Sequence, residues 1–385
     1  MGMLYFDNFA TTPLDPRVRS VMIEALDRVG NAASSEHSFG WDAAGRVELA
    51  RGQIATLIGA DPEEIVFTSG ATEANNIAVL GGARAAPPER RRIIISAIEH
   101  KSVIEAAEAA EQFGFTVERV GVGPNGLVDP AQLNAMVDDR VAVVSIMAVN
   151  NEIGAIQAVE ELGRVVRAAG AFFHVDATQA PAAMEIEARS WQADALSLSS
   201  HKIYGPGGVG ALFIAHDTPW RPSRLMFGGG QEAALRPGTV PTALCAGFGE
   251  AARIMLEEGS SERRRVGLLR DRFAERLTML WPATIITAAG APRHPGCLHV
   301  RLPGIDASDL LMRLQPAFAA STGSACSSGI LGPSYVVRAI GYSAAEADEC
   351  LRLSFGRFTT DEEIDEGLER LSGSISSCSH GSVAA

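Results

Sequence analysis

The stretch Ala195-Leu-Ser-Leu-Ser-Ser-His-Lys-Ile-Tyr-Gly-Pro-Gly-Gly-Val-Gly210 decides the interpretation of this chain. Its first five residues form a short apolar run, which is typical of a strand buried in a sheet. Lys202 follows two serines and a histidine and precedes a glycine-rich loop. Hydroxyl and imidazole groups can bind a phosphate while an adjacent amine forms a Schiff base. The alternative is a plain surface lysine. A Walker loop is excluded because no Gly-Lys-Ser/Thr follows the glycines.

Lysine is scarce in this sequence. Lys101 and Lys202 are the only two lysines among 33 basic residues. Arginine can replace lysine on a solvated surface, but its guanidinium supplies no free amine at neutral pH. The retention of Lys202 therefore favours amine chemistry. We interpret Lys101, at a predicted helix start, as a lysine that is retained by chance and not for amine chemistry.

Short apolar runs alternate with helix-length segments over the first two thirds of the chain. Buried strands with helical crossovers form a mainly parallel α/β sheet, which binds ligands at the carboxyl ends of its strands. The predicted strands are Ile65–Ser69, Arg92–Ala97, Val141–Met147, Phe172–Asp176, Ala195–Ser199 and Gly208–Ile214. The predicted helices are Thr72–Leu80, Ser102–Phe113, Val159–Ala169, Glu257–Leu280, Ala307–Leu314 and Asp361–Ser372.

The 385 residues exceed what one hydrophobic core usually supports, so we expect two domains. We predict a large domain at residues 15–255 and a smaller α+β domain that combines residues 1–14 with 256–385.

Charge and composition exclude several classes of protein. The net charge of −13 argues against direct binding of nucleic acid. No apolar run reaches the ~18 residues of a membrane span, and the N-terminus lacks the basic and apolar regions of a signal peptide. We therefore expect a cytoplasmic protein. The five cysteines are odd in number and contain no CxxC pair, which argues against a disulfide framework and against a metal site.

Two further segments place polar groups directly after predicted strands. In Phe67-Thr-Ser-Gly-Ala-Thr-Glu-Ala-Asn75, the free N–H groups of a helix start and the Thr72 hydroxyl would form an anion cup. An ordinary helix N-cap would show the same residues. In Phe173-His-Val-Asp-Ala-Thr-Gln179, a strand ends in Asp176. A buried carboxylate needs a cation, such as a protonated pyridine nitrogen, unless it is a hydrogen-bonded structural aspartate.

The segment Ser321-Thr-Gly-Ser-Ala-Cys-Ser-Ser-Gly329 surrounds Cys326 with small residues. This setting is typical of a solvated loop rather than of a buried free cysteine, and nearby cations would increase its thiolate fraction. The other four cysteines lie in apolar or tail contexts that predict inert thiols: Cys245, Cys297, Cys350 and Cys378.

Together these motifs resemble the cysteine desulfurases, class V members of the fold-type I enzymes that use pyridoxal 5′-phosphate (PLP). The resemblance covers nearly the whole chain. It extends from Phe6-Asp-Asn-Phe-Ala-Thr-Thr-Pro13 to Leu353-Ser-Phe-Gly-Arg-Phe-Thr-Thr360 and includes His37-Ser-Phe-Gly40, Glu99-His-Lys101, Val149-Asn-Asn-Glu-Ile-Gly154 and Arg236-Pro-Gly-Thr239. It implies a large domain with a mainly parallel seven-stranded sheet and a smaller C-terminal α+β domain.

The resemblance also implies roles for individual residues. Lys202 would bind PLP covalently, His100 would stack on its ring and act in catalysis, and Cys326 would accept the sulfur. Asp176 would pair with the pyridine nitrogen and Gln179 with the phenolic oxygen. The remaining implied contacts are to the phosphate (Ala71, Thr72, Ser199, His201 and, from the second subunit of a homodimer, Thr239) and to the substrate (Asn151 and Arg352).

The implied reaction converts L-cysteine to L-alanine, with the sulfur held as a persulfide on Cys326 and passed to an acceptor protein. That acceptor could be an iron–sulfur scaffold or a thiolation enzyme. A selenocysteine lyase, a class V aminotransferase and a non-catalytic sulfur carrier are the alternatives. The sequence departs from the common family pattern at Ala33, Gly207 and Ala233-Ala234, which leaves the choice of partner open.

Overall fold

The computed structural model describes residues 2–323 and 332–381. Its twelve strands are β1 (Leu4–Tyr5), β2 (Ile65–Thr68), β3 (Arg92–Ser96), β4 (Thr116–Val120), β5 (Val141–Ser145), β6 (Phe172–Asp176), β7 (Ala195–Ser199), β8 (Gly210–Ile214), β9 (Ile285–Ile286), β10 (Cys297–Arg301), β11 (Phe318–Ala319) and β12 (Cys350–Ser354). Seven of them form one sheet in the order β2-β8-β7-β6-β5-β3-β4, in which only β8 runs antiparallel to its neighbours. The predicted mainly parallel seven-stranded sheet is confirmed.

The helices lie mostly between the strands of this sheet. They are α1 (Pro16–Leu26), α2 (Ser38–Leu57), α3 (Ala71–Asn76), α4 (Gly82–Ala85), α5 (Lys101–Ala110), α6 (Pro130–Met136), α7 (Val159–Ala168), α8 (Ala180–Ala183), α9 (Thr242–Leu280), α10 (Ala307–Leu314), α11 (Tyr335–Ala339), α12 (Ala344–Asp348) and α13 (Asp361–Gly381). One wide helical turn, Ile77–Gly81, joins α3 to α4. None of the helices in the described part of the chain has the length and apolar character needed to cross a membrane.

The sequence located six of the seven strands of the large sheet to within two residues, but it missed β4 and misplaced an end of two helices. Strand β4 was not predicted, because the charged pair Glu118 and Arg119 interrupts its apolar pattern at an exposed sheet edge. Helix α9 begins at Thr242 rather than Glu257, and its added turns are buried although rich in glycine and alanine. Helix α13 continues past Ser372 to Gly381, and its Ile375 is buried in the core.

The apolar interior contains three large clusters. Two of them pack against the seven-stranded sheet, with side chains between Val18 and Met255 in one and between Val66 and Ile214 in the other. The third combines Leu4 and Phe6 with residues from Val266 onward, including β10 and β12. This partition supports the domain boundaries that we propose at 15–255 and at 1–14 with 256–385.

Candidate active site

Lys202 lies directly after β7, in a short helical turn over Ser200–Lys202. Its ammonium nitrogen donates hydrogen bonds to the carbonyl oxygens of Phe9 and Ala10, the second at 2.9 Å. The same N-terminal segment is fixed to the turn by Thr12, whose hydroxyl donates to the His201 carbonyl (3.0 Å). The N-terminal segment therefore packs directly over the Lys202 amine.

Asp176 ends the neighbouring strand β6 and is buried. Its Oδ2 accepts a hydrogen bond from the Asn75 side chain (2.8 Å), and its Oδ1 accepts one from the backbone N–H of Thr178 (3.0 Å). Both carboxylate oxygens are thus held in place by hydrogen-bond donors, and the Asp176 side chain lines the site.

His100 caps the N-terminus of α5, and its Nδ1 accepts the backbone N–H of Ser102 (3.2 Å). The Ser102 hydroxyl lies 2.7 Å from the same nitrogen and accepts a hydrogen bond from Asn75 (2.8 Å). These contacts place the hydroxyl proton toward Nδ1 and leave the ring proton on Nε2. Burial lowers the pKa of His100, an effect that Asp176 opposes and Lys202 reinforces, so the imidazole is neutral at pH 7.

The turn between β2 and α3 exposes backbone N–H groups at the same edge of the sheet. Gly70 has φ +153° and lines the cavity, and the position of a Cβ there is open space. Gly210 packs against it so closely that a Cβ would lie 2.7 Å from the Gly70 backbone. Glu73 accepts the Ser69 N–H (2.5 Å) and pairs with Arg236 (3.0 Å), which fixes the turn. The cup suits an anion.

The remaining predicted groups lie around Lys202. Gln179 donates to the Phe9 carbonyl (3.1 Å), and Nδ1 of His201 lies 3.1 Å from the Thr11 hydroxyl. Burial and the adjacent charge of Lys202 lower the pKa of His201 to about 4. A neutral His201 can donate a hydrogen bond to a phosphate without adding charge.

One cavity of about 370 Å³ collects these side chains. Nine of the predicted site residues line it: Ala71, Thr72, His100, Asn151, Asp176, Gln179, Ser199, His201 and Lys202. Arg352 and Thr239 are not among the described residues that line it, and Cys326 lies outside the described residues. Thr239 is exposed.

Arg352 lies on β12 and is buried beside the site. Its guanidinium donates to the Asn151 carbonyl (2.7 Å) and forms an ion pair with Asp7 (2.7 Å). Its Nε is buried without a partner in the described residues. Backbone hydrogen bonds join Arg352 to Ser321, at 2.7 and 3.2 Å, so the chain before Cys326 pairs with the backbone of Arg352.

Sequence reasoning missed the residues that connect the site. Asn75 donates to both Asp176 and Ser102, and thereby couples α3, β6 and α5. The available signal was an amide on the otherwise apolar face that includes Ala74 and Ala78. The Phe9 carbonyl, which both Lys202 and Gln179 contact, was also missed, because a backbone acceptor leaves no trace in a sequence.

The cavity fits the PLP implied by the resemblance. The Thr178 hydroxyl and the Asn151 side-chain oxygen line the cavity region, are buried, and have no partner among the described residues. A polar group buried without a partner is costly, which indicates a polar occupant. An amine (Lys202), an acid (Asp176) and an anion cup would match the aldehyde, the ring nitrogen and the phosphate of PLP.

Comparisons with known proteins identify the family of this chain. The family model "Aminotransferase class-V" matches residues 4–366. The mitochondrial cysteine desulfurase of Drosophila melanogaster is 44% identical over 363 residues, which are 94% of this chain and 78% of that protein. A solved NifS-like protein superposes with a TM-score of 0.89 at 34% identity, covering 97% of this chain and 99% of its own.

A structure described as SspA in complex with cysteine superposes with a TM-score of 0.82 at 31% identity, covering 92% of this chain and 99% of that one. The family match spans most of the chain, and the Drosophila relative is 44% identical over 94% of this chain. The chain belongs to the cysteine desulfurases of the class V aminotransferase family.

Proposed function

We propose that this protein is a PLP-dependent cysteine desulfurase, which converts L-cysteine and an enzyme thiol to L-alanine and an enzyme persulfide. The observation that carries the proposal is the meeting of Lys202, Asp176 and His100 around one cavity. The resemblance adds Cys326 as the thiol. A class V aminotransferase would need the first three groups but no thiol.

Each part of the cavity has a group of PLP to hold. Lys202 would bind the aldehyde carbon, Asp176 the ring nitrogen, and Gln179 the phenolic oxygen. His100 would stack on the ring, and the phosphate would be bound by the cup at Ala71 and Thr72 together with Ser199 and His201. When bound, the cofactor supplies an electron sink for the bonds broken at the substrate.

Lys202 and His100 would move the protons. The Lys202 amine, once exchanged for the substrate amine, removes the proton at the substrate Cα. His100 is neutral with its proton on Nε2, so it would first take up a second proton and then, as the imidazolium, deliver one to the substrate. Lys202 is held by the carbonyl oxygens of Phe9 and Ala10, and Nδ1 of His100 is held by Ser102 at the start of α5.

Asn151 and Arg352 would bind the substrate. A guanidinium recognises a carboxylate by a two-pronged hydrogen bond, which is stronger than contact with a point charge. Here Asp7 and the Asn151 carbonyl hold the two terminal nitrogens of Arg352, and its Nε has no partner in the described residues. These two contacts use two of the five guanidinium N–H groups, so the others can bind the substrate carboxylate while Asp7 stays in place.

Cys326 completes the reaction as nucleophile. Its thiolate attacks the substrate sulfur, a new S–S bond forms, and the C–S bond of the substrate breaks with its electrons leaving toward Cβ. Protonation of that carbon gives alanine. The persulfide then passes to an acceptor protein, which we propose to be an iron–sulfur scaffold or a thiolation enzyme in the cytoplasm.

The test is the substitution Cys326→Ala in the PLP-loaded protein. Alanine production from cysteine is expected to fall at least about 100-fold, because a covalent catalyst is lost. Cysteine should still change the cofactor absorbance, because that step needs only Lys202 and the substrate amine. Cys245→Ala and Cys350→Ala serve as controls. Burial raises the pKa of each of these thiols to about 12, so their loss should leave activity within about twofold.

Full release of sulfur from cysteine by Cys326→Ala would contradict the proposal and favour direct elimination. Selenocysteine is the companion substrate. Selenium leaves more readily and needs no attacking thiol, so its turnover by Cys326→Ala is compatible with a desulfurase. Loss of both activities together would instead indicate that the cofactor chemistry was damaged.

We propose further that the enzyme acts as a homodimer in which Thr239 reaches the phosphate of the second subunit. Exposed apolar side chains cluster on and before α2, namely Leu26, Val29, Phe39, Trp41 and Leu49. A surface groove joins α2 to the Thr239 segment, because Val47 and Val240 both line it. Large exposed apolar patches mark interfaces.

Light scattering of the PLP-loaded protein tests the dimer. A mass of two chains is expected, and Thr239→Ala should weaken PLP binding without separating the subunits. A stable monomer that binds PLP normally would contradict it. Ala33 lies in the groove and Ala233-Ala234 lies nearby, so these family departures lie at this surface rather than in the cavity.

A further inference from the structure

Phe9 contributes a phenyl ring to the cavity wall, and this side chain has no role in the proposed reaction. The residue lines the cavity and is 3% exposed. Its backbone is fixed on both sides. The N–H group donates to the Ser354 hydroxyl on β12 (2.9 Å), and the carbonyl oxygen accepts hydrogen bonds from Lys202 and from Gln179. Phe9 therefore connects the strand that carries Arg352 to the amine of Lys202.

Two neighbours contact the Phe9 ring. The His294 ring meets it edge to face, with the ring centres 4.6 Å apart and an angle of 78° between the planes. Burial lowers the pKa of His294 to about 3, so this imidazole is neutral at pH 7. The guanidinium of Arg352 lies over the Phe9 ring, with its central carbon 5.8 Å from the ring centre. Of these two neighbours, Arg352 is the charged one.

The contact with Phe9 adds a third constraint on the Arg352 guanidinium. Its hydrogen bonds to the Asn151 carbonyl and to Asp7 use two of its five N–H groups. An aromatic face attracts a cation, and the attraction is stronger where water is excluded. Arg352 is 1% exposed, so its contact with the ring is of this stronger kind. Two residues of the cavity wall, Phe9 and Asn151, thus hold the guanidinium against the cavity.

We propose that Phe9 is a positioning residue for Arg352, and that its ring sets the preference of the enzyme for amines that carry an α-carboxylate. This rests on the proposed function, in which Arg352 binds that carboxylate. Parallel hydrogen bonds from a guanidinium to a carboxylate require a defined orientation, so a group that restricts the guanidinium strengthens them. Lys202 contacts the carbonyl oxygen of Phe9, which every substitution retains, so the cofactor chemistry should be spared.

The experiment compares two ligands of the PLP-loaded protein that differ only in the carboxylate. They are L-alanine, the proposed product, and ethylamine, and the change in cofactor absorbance gives a Kd for each. Phe9→Leu keeps an apolar side chain but removes the aromatic face. We expect its Kd for L-alanine to rise about tenfold and its Kd for ethylamine to stay within about twofold of wild type. With L-cysteine, KM should rise about tenfold and kcat should change less than about twofold.

Phe115→Leu is the matched control. Phe115 is also buried, the Arg91 guanidinium lies 5.0 Å from its ring centre, and it does not line the cavity. Its substitution should lower thermal stability and leave both Kd values unchanged. Phe9→Tyr keeps the aromatic face, so its Kd for L-alanine should stay within about threefold of wild type. Should Phe9→Leu fail to fold, Phe9→Met carries the same expectation, because methionine adapts to irregular space.

Equal rises of the two Kd values in Phe9→Leu, or an unchanged Kd for L-alanine, would overturn the positioning role. So would an equal loss of L-alanine binding in Phe9→Tyr and Phe9→Leu, because the aromatic face would then not be what holds Arg352. A wild-type protein that binds L-alanine but forms no persulfide from L-cysteine would instead refute the proposed function. The two ligands need no turnover, so the two failures are distinguishable.

Discussion

The cavity has two sides that are assembled differently. On the sheet side, Asp176 and Lys202 follow the adjacent parallel strands β6 and β7, and His100 follows β3. On the β12 side, Arg352 is fixed by Asp7 and by the carbonyl of Asn151, residues 345 and 201 positions away in the chain. The order and direction of the strands bring the first set together, whereas the position of Arg352 depends on contacts between segments that are distant in the chain.

Because the two sides are assembled differently, we expect substitutions on each side to impair the enzyme in a different way. Changes on the sheet side should remove the cofactor or its chemistry, because each group binds PLP directly in the proposed function. Changes on the β12 side should leave a coloured, PLP-loaded protein that binds cysteine weakly or transfers sulfur slowly. The predictions below test that separation from the largest effect to the smallest.

Lys202→Ala should have the largest effect. Without the amine that binds PLP and moves the Cα proton, alanine production should fall by about a thousandfold or more. Borohydride treatment of the wild-type protein should abolish its yellow colour and leave the cofactor bound to Lys202, as peptide mass spectrometry can show. Lys101→Ala is the matched control, since Lys101 is the other lysine of the chain and does not line the cavity.

Borohydride fixation of the cofactor at Lys101, or a Lys202→Ala protein that remains active, would break the assignment of the sheet side. A protein that stays colourless after PLP is added would contradict the assignment of PLP as the cofactor. Lys101→Ala is expected to keep activity within about threefold, with any change arising from its charge beside His100.

Arg352→Lys should act on the substrate and spare the cofactor. Lysine keeps the charge but cannot contact Asp7, the Asn151 carbonyl and a carboxylate with one planar group. We expect kcat/KM for cysteine to fall about 30-fold, mostly through KM, with normal absorbance of the bound cofactor. A large loss of bound PLP in this variant would show that the two sides are not separable.

Much of the sheet side was predictable because each of its functional residues lies directly after a strand that its own stretch of sequence indicates. Lys202, Asp176 and Thr72 each follow a short apolar strand, and the carboxyl ends of parallel strands meet at one edge of a sheet. The sequence alone therefore places these groups together at that edge. The seven-stranded sheet itself was implied only by the family resemblance, since the pattern of β4 is hidden by its charged residues.

The β12 side was less predictable, for a physical reason. The ion pair of Arg352 with Asp7 and the contact of Ser334 with Glu152 join segments whose meeting depends on the packing of the whole molecule. No periodicity or spacing encodes such pairs. The contact of Glu152 with Ser334 is not evident from the motif Val149-Asn-Asn-Glu-Ile-Gly154, in which the family resemblance assigns a role only to Asn151.

Asn75→Ala should give the smallest of these effects and tests whether the sheet side is a connected network. The amide of Asn75 donates to Asp176 and to Ser102, which in turn contacts Nδ1 of His100. Its loss should lower kcat about tenfold and shift the absorbance of the bound cofactor, because the acid and the imidazole lose a common anchor.

The free energy of unfolding should fall by only about 1 kcal/mol. Two hydrogen bonds are lost, but the buried Asn75 oxygen, which has no partner among the described residues, is removed as well. Asn76→Ala is the control, because the Asn76 amide donates only to the Thr72 carbonyl one turn earlier in the same helix. Equal effects from the two variants would mean that strand register alone holds Asp176 and His100 in place. An unchanged absorbance with reduced kcat would instead locate the effect at His100, which contacts the network through Ser102, and not at the acid below the ring.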